Sequence, residues 1–425
     1  MTELGERTGT APPKRERTFF GYPRWFGTLF VVDMWERFSF YGLSAILYLY
    51  LIAAPDQGGL GMGAAQAAAL YGTYMALNFM AALPGGWVAD RLLGARRATF
   101  WGGTLITCGH LLLALPFGNA LYPALGLVIA GTGLVKPSMA AMIGEMYRGR
   151  PSEREAAFSI FYVGIQISAL FAPLVTGIAA ERVDWHLGFG IAAFGMAVGL
   201  VHYSVALRSR LPDVGRTPGN PLSPGEGRVL ARRIGLGVGA AAALATAAAV
   251  AGVLDAERTL MAVGLLVFAT PVVYWTLLMR RPGIDEHRPR LKAFLWMLGA
   301  SSVFWALFAQ GPALLTLFAQ ESTDRTVAGF EVPASWFQSA SPLFLLLLAP
   351  LFAALWLRLG PRVQAPPKFV AGLATGGAAF LLMSLASSAS AEGAVSPLWL
   401  LSAYLLLVVG ELTVGLIGLS LASQV

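Results

Sequence analysis

Residues 33–42 read Asp33-Met34-Trp35-Glu36-Arg37-Phe38-Ser39-Phe40-Tyr41-Gly42, three ionisable side chains inside a segment whose flanks are apolar. In a helix, Asp33, Arg37, Tyr41 and Ser44 follow one another at i, i+4, i+8 and i+11 with Glu36 beside them, so one face carries a polar stripe. The remaining faces hold Phe30, Val31, Val32, Phe38, Leu43, Leu47 and Leu49. A charge at mid-membrane costs at least ~2.5–3.5 kcal/mol, so an acid-acid-base cluster persists there when it is paired and faces a bundle interior. Two readings are open: a transport site, or a buried ion pair that fixes helix register.

The surroundings are membrane. Of the 425 residues, 56% are hydrophobic and 12% charged, well away from the balance of a soluble domain. Apolar segments long enough to cross a ~30 Å hydrocarbon core run at about 25–53, 65–89, 97–117, 121–146, 156–180, 187–207, 230–253, 258–280, 291–320, 333–357, 367–389 and 396–424. The chain is thus expected to be an all-α polytopic membrane protein of about twelve spans, embedded in the lipid bilayer. The formal charge of +7 falls in short bursts between spans, as the positive-inside rule requires, and not in one stripe, so nucleic acid is not an expected partner. With the N-terminus inside, basic residues on the cytosolic side outnumber Arg182, Arg258 and Arg325 on the other by about eight to one, which orients the chain in the cytoplasmic membrane. The basic first ~20 residues lack a cleavable apolar core and read as a cytosolic tail. The single cysteine, Cys108, excludes an internal disulfide and a thiolate metal cage, and no metal-ligand or nucleophile spacing is present. No catalytic residues, metal ligands or cofactors are expected.

After the second span come Gly85-Gly86-Trp87-Val88-Ala89-Asp90-Arg91-Leu92-Leu93-Gly94-Ala95-Arg96-Arg97. This run resembles the G-x-x-x-D-R-x-G-R-R loop of the major facilitator superfamily, which implies a gate loop in which Gly86 lets two helices approach and Asp90, Arg91, Arg96 and Arg97 latch. With that loop in place, the opening stretch resembles the E-x-x-E-R-F-x-Y-Y-G signature of the proton-dependent oligopeptide transporter (POT) family. Further blocks agree in order: Gly133-Leu134-Val135-Lys136-Pro137, Phe161-Tyr162-Val163-Gly164-Ile165-Gln166, Phe304-Trp305, Phe337-Gln338-Ser339-Ala340-Ser341-Pro342, and Gly410-Glu411-Leu412.

The resemblance implies two helical bundles of the major facilitator fold. In this chain that gives a cytosolic tail over 1–23, a six-helix bundle over 24–208, a cytosolic linker over 209–229, an accessory hairpin over 230–281, and a C-terminal bundle over 282–425. Only four helices follow the accessory pair, so the second bundle reads as incomplete by two. The implied activity is symport of di- and tripeptides, with protons as the coupling ion. Proton coupling would fall to Asp33, Glu36 and Glu411. Substrate binding would fall to Arg37, Tyr41, Tyr74, Lys136, Gln166, Trp305, Ser341 and Glu411, with Arg37 and Lys136 on the carboxylate and Glu411 on the amine. At ~3.5 Å per residue, such a clamp measures two or three residues and rejects four.

The chain departs from the family pattern at several of these positions. Asp33 stands for glutamate, Phe40 for the first tyrosine, and Gln166 and Ser341 for asparagines. Members also carry an arginine and a glutamate that pair across the halves, where this sequence has Ser44 and Ala309. Losing one partner of such a pair would strand a charge at ~3–5 kcal/mol, whereas losing both is neutral. A carrier of another small anionic or zwitterionic solute, without the usual proton coupling, is therefore the alternative. Elsewhere, Tyr71, Tyr74 and Asn78, and likewise Ser159, Tyr162 and Gln166, share single helix faces, either as cavity lining or as interhelical hydrogen bonding. His110 reads as a satisfied interior histidine. Oligomeric state is open.

Overall fold

The computed structural model describes residues 17–19, 21–116, 120–209, 214–223, 225–230, 232–233, 236, 256–280, 288–359 and 365–422. After a short pairing of β1 (Arg17–Phe19) with β2 (Tyr22–Pro23), the chain is helical: α1 (Arg24–Ile52), α2 (Ala64–Met80), α3 (Ala82–Val88), α4 (Ala95–Ala114), α5 (Leu121–Met146), α6 (Pro151–Arg182) and α7 (Trp185–Ser209). Then follow α8 (Ala256–Met279), α9 (Arg288–Phe308), α10 (Thr316–Ser322), α11 (Ala340–Leu359), α12 (Ala365–Ala389) and α13 (Leu398–Ala422). A two-stranded turn, β3 (Thr326–Val327) with β4 (Phe330–Glu331), leads into a 3₁₀ segment over Ala334–Ser339 that opens α11. Seven helices among the described residues are long and apolar enough to cross a membrane by length and composition. The protein is a multi-pass membrane protein.

α1 owes its central position to what packs on it. It lies between α6 and α7, and small residues on those helices receive its bulk. A Cβ at Gly164 would meet Phe30 at 2.7 Å, one at Gly199 would meet Trp35 at 2.9 Å, and Gly42 of α1 itself faces Thr176. Lipid is as apolar as leucine, so helices associate in it through such close approach. That is how Asp33 and Glu36, 7% and 1% exposed, are held inside.

Two segments expected to be continuous spans are interrupted. The second breaks at Ala81, and most of the stretch read as a gate loop is helical: Gly85–Val88 close α3, and Ala89–Leu93 form a widened π-type turn. Pro84 within α3 removes a backbone donor, which favours such a break. Gly94, at φ +76°, then reverses the chain into α4. Gly85 makes the helix crossing: its Cβ would fall 2.0 Å from the Gly133 carbonyl of α5, whereas one at Gly86 would meet only Pro137 at 3.3 Å. The ninth expected span breaks likewise at Gly311–Leu315, where Pro312 cannot donate.

The apolar interior shows how the halves meet. At the end where α1 begins, called the basic end for Arg91, Arg96, Arg97 and Arg150, there are separate cores. One joins Phe26, Val32, Ile106, Met142 and Tyr203 within the first half, and another joins Phe304, Phe369 and Val414 in the second. At the opposite, far end a single core unites Leu47, Leu51 and Phe189 with Leu315, Ala319, Ala334 and Phe337. The halves are sealed together at the far end.

Of the accessory pair, the segment over 230–253 lies outside the described residues apart from a few positions at its start. Its expected partner α8 packs on α2 and leaves Met261, Leu265, Leu266, Phe268 and Leu277 exposed. The segment 214–226 lies along the start of α4. Arg96 donates from its backbone N–H to Gly215 at 2.9 Å and from Nε to the Val214 carbonyl at 2.7 Å. Asn220 and Leu222 donate to the carbonyls of Asp90 and Arg91, and Arg91 pairs with Glu226 at 3.3 Å.

Candidate functional site

Between the halves lies a chamber of about 400 Å³. The first half contributes Phe40, Tyr41, Ser44, Tyr71, Phe79, Tyr162 and Gln166, and the second contributes Trp305, Phe308, Ala309, Ser341, Tyr404 and Glu411. The break at Gly311 feeds this wall with backbone. The Gly311 carbonyl, which takes the Thr316 N–H in the widened turn, also accepts Thr316 Oγ1 at 3.0 Å and Tyr404 OH at 3.3 Å. Irregular backbone at membrane depth is tolerated where it lines a cavity. Among the described residues, Glu411 is the one charged side chain on the wall, and no cation lies within ion-pair distance of it.

Of the residues singled out from sequence, Tyr41, Gln166, Trp305, Ser341 and Glu411 line the chamber together. Asp33, Glu36 and Arg37 lie one to two turns from Tyr41 along α1, toward the basic end. Arg37 is 3.4 Å from Glu36 and 3.8 Å from Asp33. Both Glu36 oxygens and Arg37 Nε are nevertheless buried without a hydrogen bond, so the cluster is paired by charge and left open to a better partner. Lys136 Nζ stands 4.5 Å from the ring centre of Phe40 and 4.9 Å from that of Phe79, held by two aromatic faces. Phe40, the departure from tyrosine, thus presents a face to the lysine.

Tyr74 is not on the chamber wall. Its hydroxyl and the amide atoms of Asn78 are buried without partners, as are both ring nitrogens of His110, so this histidine is interior but not hydrogen-bonded. In the gate stretch, Arg91 and Arg96 are engaged by the 214–226 segment, Asp90 lies against Gly219, and Arg97 is exposed. The positions of the missing charge pair are occupied by neutral contacts. Ser44 Oγ hydrogen-bonds Tyr71 OH at 2.7 Å, Ala309 fills the facing wall, and Gln338 Nε2 donates across the halves to the Ala45 carbonyl at 3.1 Å and to Thr316 at 3.0 Å. Gln338 was visible only as a motif letter. Phe79, Phe308 and Tyr404 carried no sequence signal beyond being aromatic residues in spans.

Two helical halves sharing one core at the far end, with a chamber between them, define a membrane carrier of the major facilitator type. The profile of the POT family matches residues 96–424, and the chain belongs to that family. A di-/tripeptide transporter of Lactococcus lactis subsp. cremoris is 37% identical over 97% of this chain and 85% of the relative. Among solved structures, a peptide transporter POT in complex with sulfate is similar with TM-score 0.93 at 40% identity, covering 96% of this chain and 83% of that one. A POT family transporter in complex with 5-aminolevulinic acid is similar with TM-score 0.90 at 34% identity, covering 96% and 85%.

Proposed function

We propose that this protein is a proton-coupled symporter of di- and tripeptides in the cytoplasmic membrane, with its N-terminus and basic end in the cytosol and its chamber closed on the outside. The observation that carries the reading is the separation of charges along the chamber: Glu411 on the wall of the second half, and Arg37 and Lys136 beyond Phe40 and Tyr41 in the first. A peptide always offers one amine and one carboxylate, whatever its side chains. Glu411 takes the amine. Arg37 supplies a two-pronged contact to the carboxylate and Lys136 a point charge. A carboxylate that captures Arg37 frees Asp33 and Glu36 to take up a proton, which links the two fluxes.

A second reading, a carrier of other small zwitterions, is favoured by the neutral Ser44 and Ala309 positions. Uptake into liposomes under an inward proton gradient separates the two. The first reading expects a labelled dipeptide to accumulate and its N-acetylated form to be refused. Accumulation of the acetylated ligand, or of a single amino acid in preference to the dipeptide, would establish the second.

A further inference from the structure

The chamber ends blindly toward the far end, and its floor is made from the core that seals the halves there. Tyr71 and Tyr404 belong to that core, and Met75 and Phe308 pack against it. All four line the chamber, with Ser44 and Ala309 beside them. The charges stand the other way. α13 runs from the far end, where Val395 bonds Ser322 and Asp324, so Glu411 lies about two turns nearer the basic end than Tyr404. Arg37 and Lys136 stand beyond Phe40 and Tyr41.

The donors of this floor are spent inside the wall. Ser44 Oγ and Tyr71 OH bond each other at 2.7 Å, and Ser44 Oγ stands 4.0 Å from Met75 Sδ. Tyr404 OH donates to the Gly311 carbonyl, and Gln338 Nε2 donates to the Ala45 carbonyl and to Thr316 Oγ1. Ala309 and Met75 add no donor. Phe308 meets Trp305 edge to face with ring centres 5.4 Å apart, which fixes both rings on the wall. A group that enters here leaves water for rings, a methyl and a thioether. An apolar group gains by that exchange, and a polar one loses its hydrogen bonds without replacement.

We infer that this floor is a side-chain subsite, selecting substrates that carry a large apolar side chain and refusing polar ones of the same size. The inference rests on the transport reading, in which Glu411 holds the amine and Arg37 with Lys136 holds the carboxylate. Both contacts lie on the basic-end side of the chamber, so a side chain directed away from them enters the floor. Leucine or phenylalanine then packs on Met75, Phe308 and the Tyr404 ring. Asparagine, which has leucine's shape, meets no donor that is free to replace its water. Ala309 decides the chemistry of the floor, because it is exposed to the chamber and its methyl is the one part of that wall a substitution can make polar without breaking a bond.

The test is equilibrium binding to the purified protein in nanodiscs, comparing Leu-Ala with Asn-Ala and Ala-Leu with Ala-Asn. At the peptide position that faces the floor, leucine should bind ~10-fold or more tighter than asparagine. Ala309→Gln, which sets a free amide among the spent donors, should shrink that ratio by ~fivefold. Ala309→Leu, of nearly equal bulk, should keep it. Equal affinities at both positions in the parent, an Ala309→Gln ratio equal to the parent's, or an equal fall in Ala309→Leu overturns the subsite. Free leucine and free asparagine are measured on the same samples. If they bind where no dipeptide does, peptide transport is refuted while their ratio still decides the subsite, and binding of none of these ligands overturns both.

Discussion

Among the described residues, Glu411 is the one charge on the chamber wall and has no partner cation, and the proposed function assigns it to a substrate amine. Glu411→Gln should weaken dipeptide binding by ~30-fold or more, the usual consequence of removing one partner of a buried charge pair, and equilibrium binding to the purified protein reads it directly. Ser44 makes the converse case. Its hydroxyl bonds Tyr71 in a wall without acids on that side, so Ser44→Arg alone strands a cation at a cost of ~3 kcal/mol, whereas Ser44→Arg with Ala309→Glu provides a partner. Thermal unfolding in detergent should show the single variant clearly less stable than the parent and the double variant largely recovered. Equal losses in both would mean that the two positions do not face one another.

Among the elements, the tightest crossing is α3 on α5. Gly85→Ala would drive a methyl to 2.0 Å from the Gly133 carbonyl, and overpacking of this kind costs ~1–3 kcal/mol or more. Gly72→Ala, where nothing lies within 4 Å, is the matched control. The yield of folded protein on size exclusion should fall for the first and hold for the second. The 214–226 segment makes a pH prediction of its own. The N–H and hydroxyl of Ser223, with Arg91, hold the Glu226 carboxyl below the usual carboxylate range. A depressed value stabilises the attached form at and above the free carboxyl's range, and that contribution is lost as pH falls through the lowered value. Exchange at the Asn220 and Leu222 amides should therefore be protected at neutral pH and lose protection only in stronger acid.

These elements also mark what sequence can carry. Hydropathy is a sum over many residues, so α5, α6 and α7 were readable as spans. The breaks at Ala81 and Gly311 depend on where one proline meets a neighbouring helix, and summation hides them. Tyr41, Gln166, Trp305, Ser341 and Glu411 were found through motif letters and share one wall. Glu181 was not singled out: it looks like any charge at a span's end, and it accepts the N–H groups of Ala334 and Ser335 and the Ser335 hydroxyl, partners so far away in the chain that they leave no mark in local spacing.

For the molecule as a whole, separate cores at the basic end and one shared core at the far end describe a single orientation of an alternating carrier. A cysteine placed at Ser341, half-buried on the chamber wall, on the Cys108→Ser background, should react with a membrane-impermeant thiol reagent from the basic side and be protected from the other. Labelling from the far side instead would reverse the assignment. The shared core also sets a thermal signature. Opening at the far end must bring Leu47, Phe189, Leu315 and Phe337 toward water, while closing the basic end withdraws other apolar surface, and the two areas have no reason to match. Any imbalance appears as a heat-capacity difference between the two orientations. The fraction open at the far end should then follow a curved van't Hoff plot, and the sense of that curvature says which end hides more oil.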